Sequence, residues 1–90
     1  MKFGIEKTPR EMCLLIGERV KHLRKDQKMS RAELAKRSGV PAPTIRKFEE
    51  TGKISFESLL KITMTFRRLS EFEQLLIPDN TERRRQLFDQ

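Results

Sequence analysis

The chain has 90 residues, 37% charged and 36% hydrophobic, with a formal net charge of +7 and a sequence pI near 10.1. That length holds one domain rather than two. Its single cysteine, Cys13, excludes an internal disulfide and a cysteine-rich zinc site, and no apolar run is long enough to cross a bilayer.

The charge is unevenly placed. Residues 1–17 carry a net +1, residues 18–53 a net +6, and residues 54–90 none. A basic excess favours polyanionic partners, nucleic acid before anionic membrane. With no secretory signal in the sequence, a cytoplasmic location without membrane attachment is expected. The concentration of charge points to a binding half followed by a packing or assembly half.

No period-2 strand pattern is visible, and the chain reads as all-α, with an N-terminal arm over 1–8. The first predicted helix opens at Thr8-Pro9-Arg10-Glu11. Threonine caps the free amides, proline suits the first helical position, and Glu11 completes a capping box. Met12, Leu15, Ile16, Val20 and Leu23 then recur at three- and four-residue steps as one apolar face. Ser30-Arg31-Ala32-Glu33 opens a second helix as another capping box, and Gly39 ends it. A third helix is predicted from about Ala42 to Glu50, where Pro41 and Pro43 are tolerable because first-turn amides have no intrahelical acceptor. The fourth starts after Ser55 and packs Phe56, Leu59, Leu60, Ile62, Thr63 and Phe66 inward. Ser70-Glu71-Phe72-Glu73 reads as one more capping box, opening a short fifth helix with Phe72, Leu75 and Leu76, which Pro78 ends. Residues 78–90 are expected to be a tail or a short helix around Arg83, Arg84 and Arg85.

Between Arg31 and Lys53 the demands on residue type become specific. Two short helices crossing closely need a small residue, and Ala35 supplies it. Four residues later a sharp turn needs a positive φ, and Gly39 supplies it. Leu34, Val40, Ile45 and Phe48 fall at offsets that point inward against the first and fourth helices.

These residues resemble the helix-turn-helix family of phage repressors, Cro proteins and xenobiotic-response-element regulators. The matching stretches are IGERVKHLRK, SRAELAKRSGV, TIRKFE and ESLLKI, in that order, within a segment from about Ile16 to Leu76. The resemblance implies a five-helix repressor-like domain over residues 9–77 that binds double-stranded DNA as a transcriptional regulator, a repressor by preference, and not an enzyme. It implies that the third helix enters the major groove. The base-reading positions are then Ala42, Pro43, Thr44, Arg46 and Lys47. Arg46 and Lys47 carry the sharpest chemistry, since arginine can donate two hydrogen bonds to guanine O6 and N7. Ala42 and Pro43 depart from the polar residues of many relatives, and either touch a thymine methyl group or leave that base pair unread.

Phosphate contacts are expected from Ser30 and Arg31, at a helix N-terminus that attracts anions, and from Gly52 and Lys53 in the loop after the third helix. Lys28, Lys36 and Arg37 read as a solvated face acting at long range. Arg24 and Glu49 occupy positions that pair in family members. Glu49 then has a structural role alongside Ala35, Gly39, Ile45 and Phe48, and Arg24 a mixed one that includes holding a phosphate.

The resemblance also implies a homodimer that places two such helices about one DNA turn, ~34 Å, apart on a palindromic operator. Phe72, Leu75, Leu76, Ile77, Leu87 and Phe88 are the apolar residues left over for a dimer or partner surface. The FEETGKIS segment is similar to DNA-binding antitoxins that accompany Hip-type kinase toxins, which adds a protein toxin as a candidate partner. An alternative is a protein-interaction module that keeps the fold without sequence-specific DNA binding, motivated by the two prolines. RNA binding is a weaker third reading, since the chain has no tyrosine or tryptophan for a stacking platform.

No metal site or cofactor motif is found. His22 has no second histidine to share a metal, and Cys13 has no evident basic partner. Glu49 and Glu50 are adjacent on a helix and point apart. The methionines and phenylalanines are core by default, and no separate sensor domain or ligand pocket is indicated.

Overall fold

The computed structural model describes residues 6–79, and over that range the chain is five helices with no strand. α1 spans Pro9–Asp26, α2 Arg31–Ser38, α3 Ala42–Thr51, α4 Phe56–Thr65 and α5 Ser70–Glu73. The all-α expectation holds, and the first four helix starts fall within a residue or two of their sequence signals.

The caps explain why. At the start of α1 both arms of the capping box form, with the Glu11 amide donating to Thr8 Oγ1 at 3.1 Å and the Thr8 amide donating to Glu11 Oε1 at 2.9 Å. Only one arm of the second box forms. Ser30 Oγ accepts from the Glu33 amide at 3.0 Å, while the Glu33 carboxylate accepts from Arg37 one turn on. Ser55 caps α4 by accepting from the Ser58 amide.

The third box is absent. Leu69, in helical conformation, occupies the cap position of α5, and no side chain caps it. α5 is a single turn, and Leu75 and Leu76 lie beyond it. One uncapped turn supplies too few hydrogen bonds to propagate a helix, and Leu76 adopts a left-handed φ of 58° that ends any continuation.

The core consists of Val20, Met29, Leu34, Val40, Ile45, Phe48, Ile62 and Phe66, flanked by Ile16, Leu23, Ala35, Ile54 and Leu59. α3 lies between α1 and α2, and α4 packs on α2. The inward periodicity of α2 and α3 is reproduced, but the default core assignment is too generous. Met12 and Met64 are exposed, and Phe56 packs edge-on against Phe72, ring centroids 5.7 Å apart, with 59% of its surface in solvent.

Two glycines fix how closely α1 and α3 approach. A Cβ on Gly17, in the middle of α1, would stand 2.5 Å from the carbonyl oxygen of Phe48. A Cβ on Gly52, just past α3, would stand 2.7 Å from the carbonyl carbon of Cys13. Backbone therefore lies on backbone at two points, and the outer face of α3 is left free.

Candidate functional site

α3 is amphipathic. Ile45, Phe48 and Glu49 are buried on one side, while Pro43, Arg46 and Lys47 are exposed on the other, with Ala42 and Thr44 between. All five residues expected to read bases thus lie on α3, and its two cations share the solvent side. Pro41 opens the helix without a side-chain cap, and its carbonyl accepts from the amides of Thr44 and Ile45 at 3.0 and 3.1 Å. Pro43 has no amide hydrogen, so Ala42 is the one first-turn donor left without an acceptor among the described residues. Side-chain tips, rather than a cluster of amides, therefore carry the polar chemistry of this helix.

The attitude of α3 is fixed by a buried ionic cluster. Arg24 on α1 donates from Nε to Glu49 Oε2 at 2.8 Å, from Nη2 to Glu49 Oε1 at 2.9 Å, and from Nη1 to the Met29 carbonyl at 2.9 Å. Arg31 on α2 adds a bond from its Nε to Glu49 Oε1 at 3.0 Å. Three helices meet at one carboxylate whose side chain is wholly out of solvent. Burial by itself would raise the Glu49 pKa, but hydrogen bonds and charge from Arg24 and then Arg31 outweigh it and hold the carboxyl below its ordinary value.

This geometry bears on two of the expected phosphate contacts. The Arg24 side chain is only 7% exposed and three of its donors go to Glu49 and Met29, which gives it a structural role. Gly52 is buried, its amide donates to the Phe48 carbonyl at 2.7 Å, and its missing Cβ makes room for α1.

Ser30, Arg31 and Lys53 remain at the surface near the ends of α2 and α3. Arg31 keeps 31% of its side chain in solvent beyond its bond to Glu49. The first-turn amides of Arg31 and Ala32 have no acceptor among the described residues and form the positive end of α2. The Lys53 amide donates to Thr51 Oγ1, and the Arg10 side chain reaches across from α1 to the Thr51 carbonyl. Gly39 takes a left-handed φ of 81° with nothing near its missing Cβ, so the turn requires glycine for conformation alone.

The residues expected at a partner surface are partly laid bare. Leu75 is 52% and Leu76 90% exposed, whereas Phe72 and Ile77 are half-buried. Leu87 and Phe88, like Arg83 to Arg85, lie outside the described residues. His22 pairs with Glu18, at 3.4 Å, and no group of acidic, histidine or cysteine side chains among the described residues is arranged to hold a metal. No described helix is long and apolar enough to cross a membrane.

Three features escaped the sequence reading. Arg31 joining Glu49 had no local signal, since 18 residues separate them. Gly17 did have one, because a glycine inside a strongly capped helix is unfavourable unless something needs the space. The pairing of Arg46 with Glu50 follows from their four-residue spacing, Nε to Oε2 at 3.2 Å. A model described as helix-turn-helix matches residues 20–73, from late α1 through α5. No curated protein matches the chain.

Proposed function

The chain belongs to the helix-turn-helix family of phage repressor and Cro-like regulators, DNA-binding proteins that regulate transcription, and on that premise we propose that it is a repressor that reads a specific operator through the exposed face of α3. The observation that carries this reading is the placement of Arg46 and Lys47 on the solvent side of a helix whose other side is locked by Arg24, Glu49 and Arg31. A rigidly held helix presents donors to base edges without further ordering cost, which is what direct readout of guanine requires. Ala42, Pro43 and Thr44 at the front of the helix contribute shape and methyl contacts. Ser30, the free amides of α2, the outer part of Arg31, and Lys53 supply phosphate contacts that set register without reading sequence.

The working form in this reading is a homodimer on a palindrome, since one short helix reads few base pairs. The exposure of Leu75 and Leu76 supports an association surface just beyond α5. The antitoxin reading has support only in the resemblance of the 48–55 segment. Glu49 and Gly52 in that segment already have packing roles, so no structural observation favours it over other operon regulators.

The test is selection of genomic fragments by the purified protein, followed by salt titration on the best fragment, wild type against Arg46→Ala/Lys47→Ala. One enriched palindromic fragment, and loss of preference in the double variant with salt-sensitive binding retained, is the expected result. Absence of any preferred fragment would refute the reading and favour an interaction module that keeps the fold. A monomer mass independent of concentration in sedimentation equilibrium would remove the dimer.

A further inference from the structure

Glu50 is an acidic residue on the face of α3 assigned above to a polyanion. Both it and Arg46 are solvent-exposed, at 53% and 66% of their side chains, and they pair through Arg46 Nε and Glu50 Oε2 at 3.2 Å. An exposed pair of this kind adds little to stability, and a carboxylate facing DNA weakens binding by repulsion. Its position needs another reason.

We propose that Glu50 is a positioning residue that aims Arg46 at guanine. This rests on the reading of α3 as the base-reading helix. Arginine has one N–H on Nε and four on its two Nη nitrogens. Glu50 takes the Nε, the nitrogen nearest the stem, and leaves both Nη nitrogens at the tip. Two parallel donors at the tip match the O6 and N7 acceptors that guanine shows in the major groove. Holding the stem also removes rotamer freedom that Arg46 would otherwise lose on binding, so recognition starts from a narrower set of side-chain directions. Lys47, next along the helix, has no ion pair among the described residues, and a single ammonium gains less from being aimed.

The experiment is binding-site selection and competition with wild type, Arg46→Ala, Glu50→Ala and Glu50→Gln in the full chain. Arg46→Ala should lose preference for guanine at one position of the site by roughly 5- to 150-fold, the span of one bidentate contact. Glu50→Ala should lose at least fivefold at that same position, while its binding to non-specific DNA stays equal or tightens because a negative charge has gone. Glu50→Gln, which keeps an acceptor for Nε without the charge, should fall between wild type and Glu50→Ala. A merely structural role for Glu50 would weaken binding at every position alike. If Arg46→Ala loses the preference and Glu50→Ala keeps it within about twofold, the role of Glu50 is overturned alone. If Arg46→Ala itself keeps the preference, the base-reading role of Arg46 falls and Glu50 has nothing to aim.

Discussion

Replacing Glu49 by Gln preserves the volume of the side chain and removes the one charge that two guanidinium groups share. The carboxylate accepts three bonds, two from Arg24 and one from Arg31, and lies beyond the reach of solvent. Charge-assisted hydrogen bonds contribute about 1.5–3 kcal/mol each and do not add. Removing one partner of a buried pair and leaving the other uncompensated costs about 3–5 kcal/mol in all. Arg24, at 7% exposure, is the stranded charge. A domain of this size has on the order of 5–10 kcal/mol of stability, so the variant should still fold but with a urea midpoint lower by more than about 1 M.

The pH dependence has a definite sign. The folded-state pKa of Glu49 lies below the ordinary value of 4.5. Its contribution is therefore complete above that value and is lost as pH falls through the depressed folded-state pKa. Other carboxylates titrate equally in wild type and variant, so the stability gap isolates Glu49. Urea titrations at pH 7, 5, 4 and 3 should show a constant gap down to about pH 5 that then closes. A gap below 1 kcal/mol at pH 7, or one that stays constant to pH 3, would refute the assignment of Glu49 as the charge that locks α3.

Two further outcomes separate conformation from packing, and phosphate contact from base contact. Gly39→Ala and Gly52→Ala both force a left-handed φ on a residue with a Cβ, costing about 1–2 kcal/mol. Only the second also drives that Cβ into the α1 backbone, so thermal unfolding should show Gly52→Ala losing at least about 1 kcal/mol more, and equal losses would contradict the contact between Gly52 and Cys13. Lys53→Ala should reduce the magnitude of the salt slope of DNA binding by about 1 and weaken all sequences alike; a changed base preference would mean that Lys53 reads sequence.

Much of the fold was legible because its signals are local. Thr8, Ser30 and Ser55 mark helix starts through bonds that reach only three residues. Gly39 marks the turn through its own φ. The inward set Leu34, Ile45 and Phe48 follows from helical period, and Val40 from its place in the turn just after Gly39. The same logic overreached at Ser70, where a capping pattern without a helix long enough to use it produced one uncapped turn, and at Met12, Met64 and Phe56, where spacing assigned an inward face that the fold leaves largely exposed.

By itself the sequence determined the helix order, the turn and the helix that carries Arg46 and Lys47, since these depend on residues within a turn or two of one another. Only the tertiary structure decided which cations are free. The resemblance pairs Arg24 with Glu49, but only the packed helices show that Arg24 is enclosed by Glu49 and Met29 while Arg31 joins the same carboxylate and keeps part of its surface in solvent. Gly52 likewise reads as an open loop glycine until α1 is laid against it. Burial and pairing depend on elements distant along the chain, and the charge available for a ligand is what remains after those partners have been satisfied.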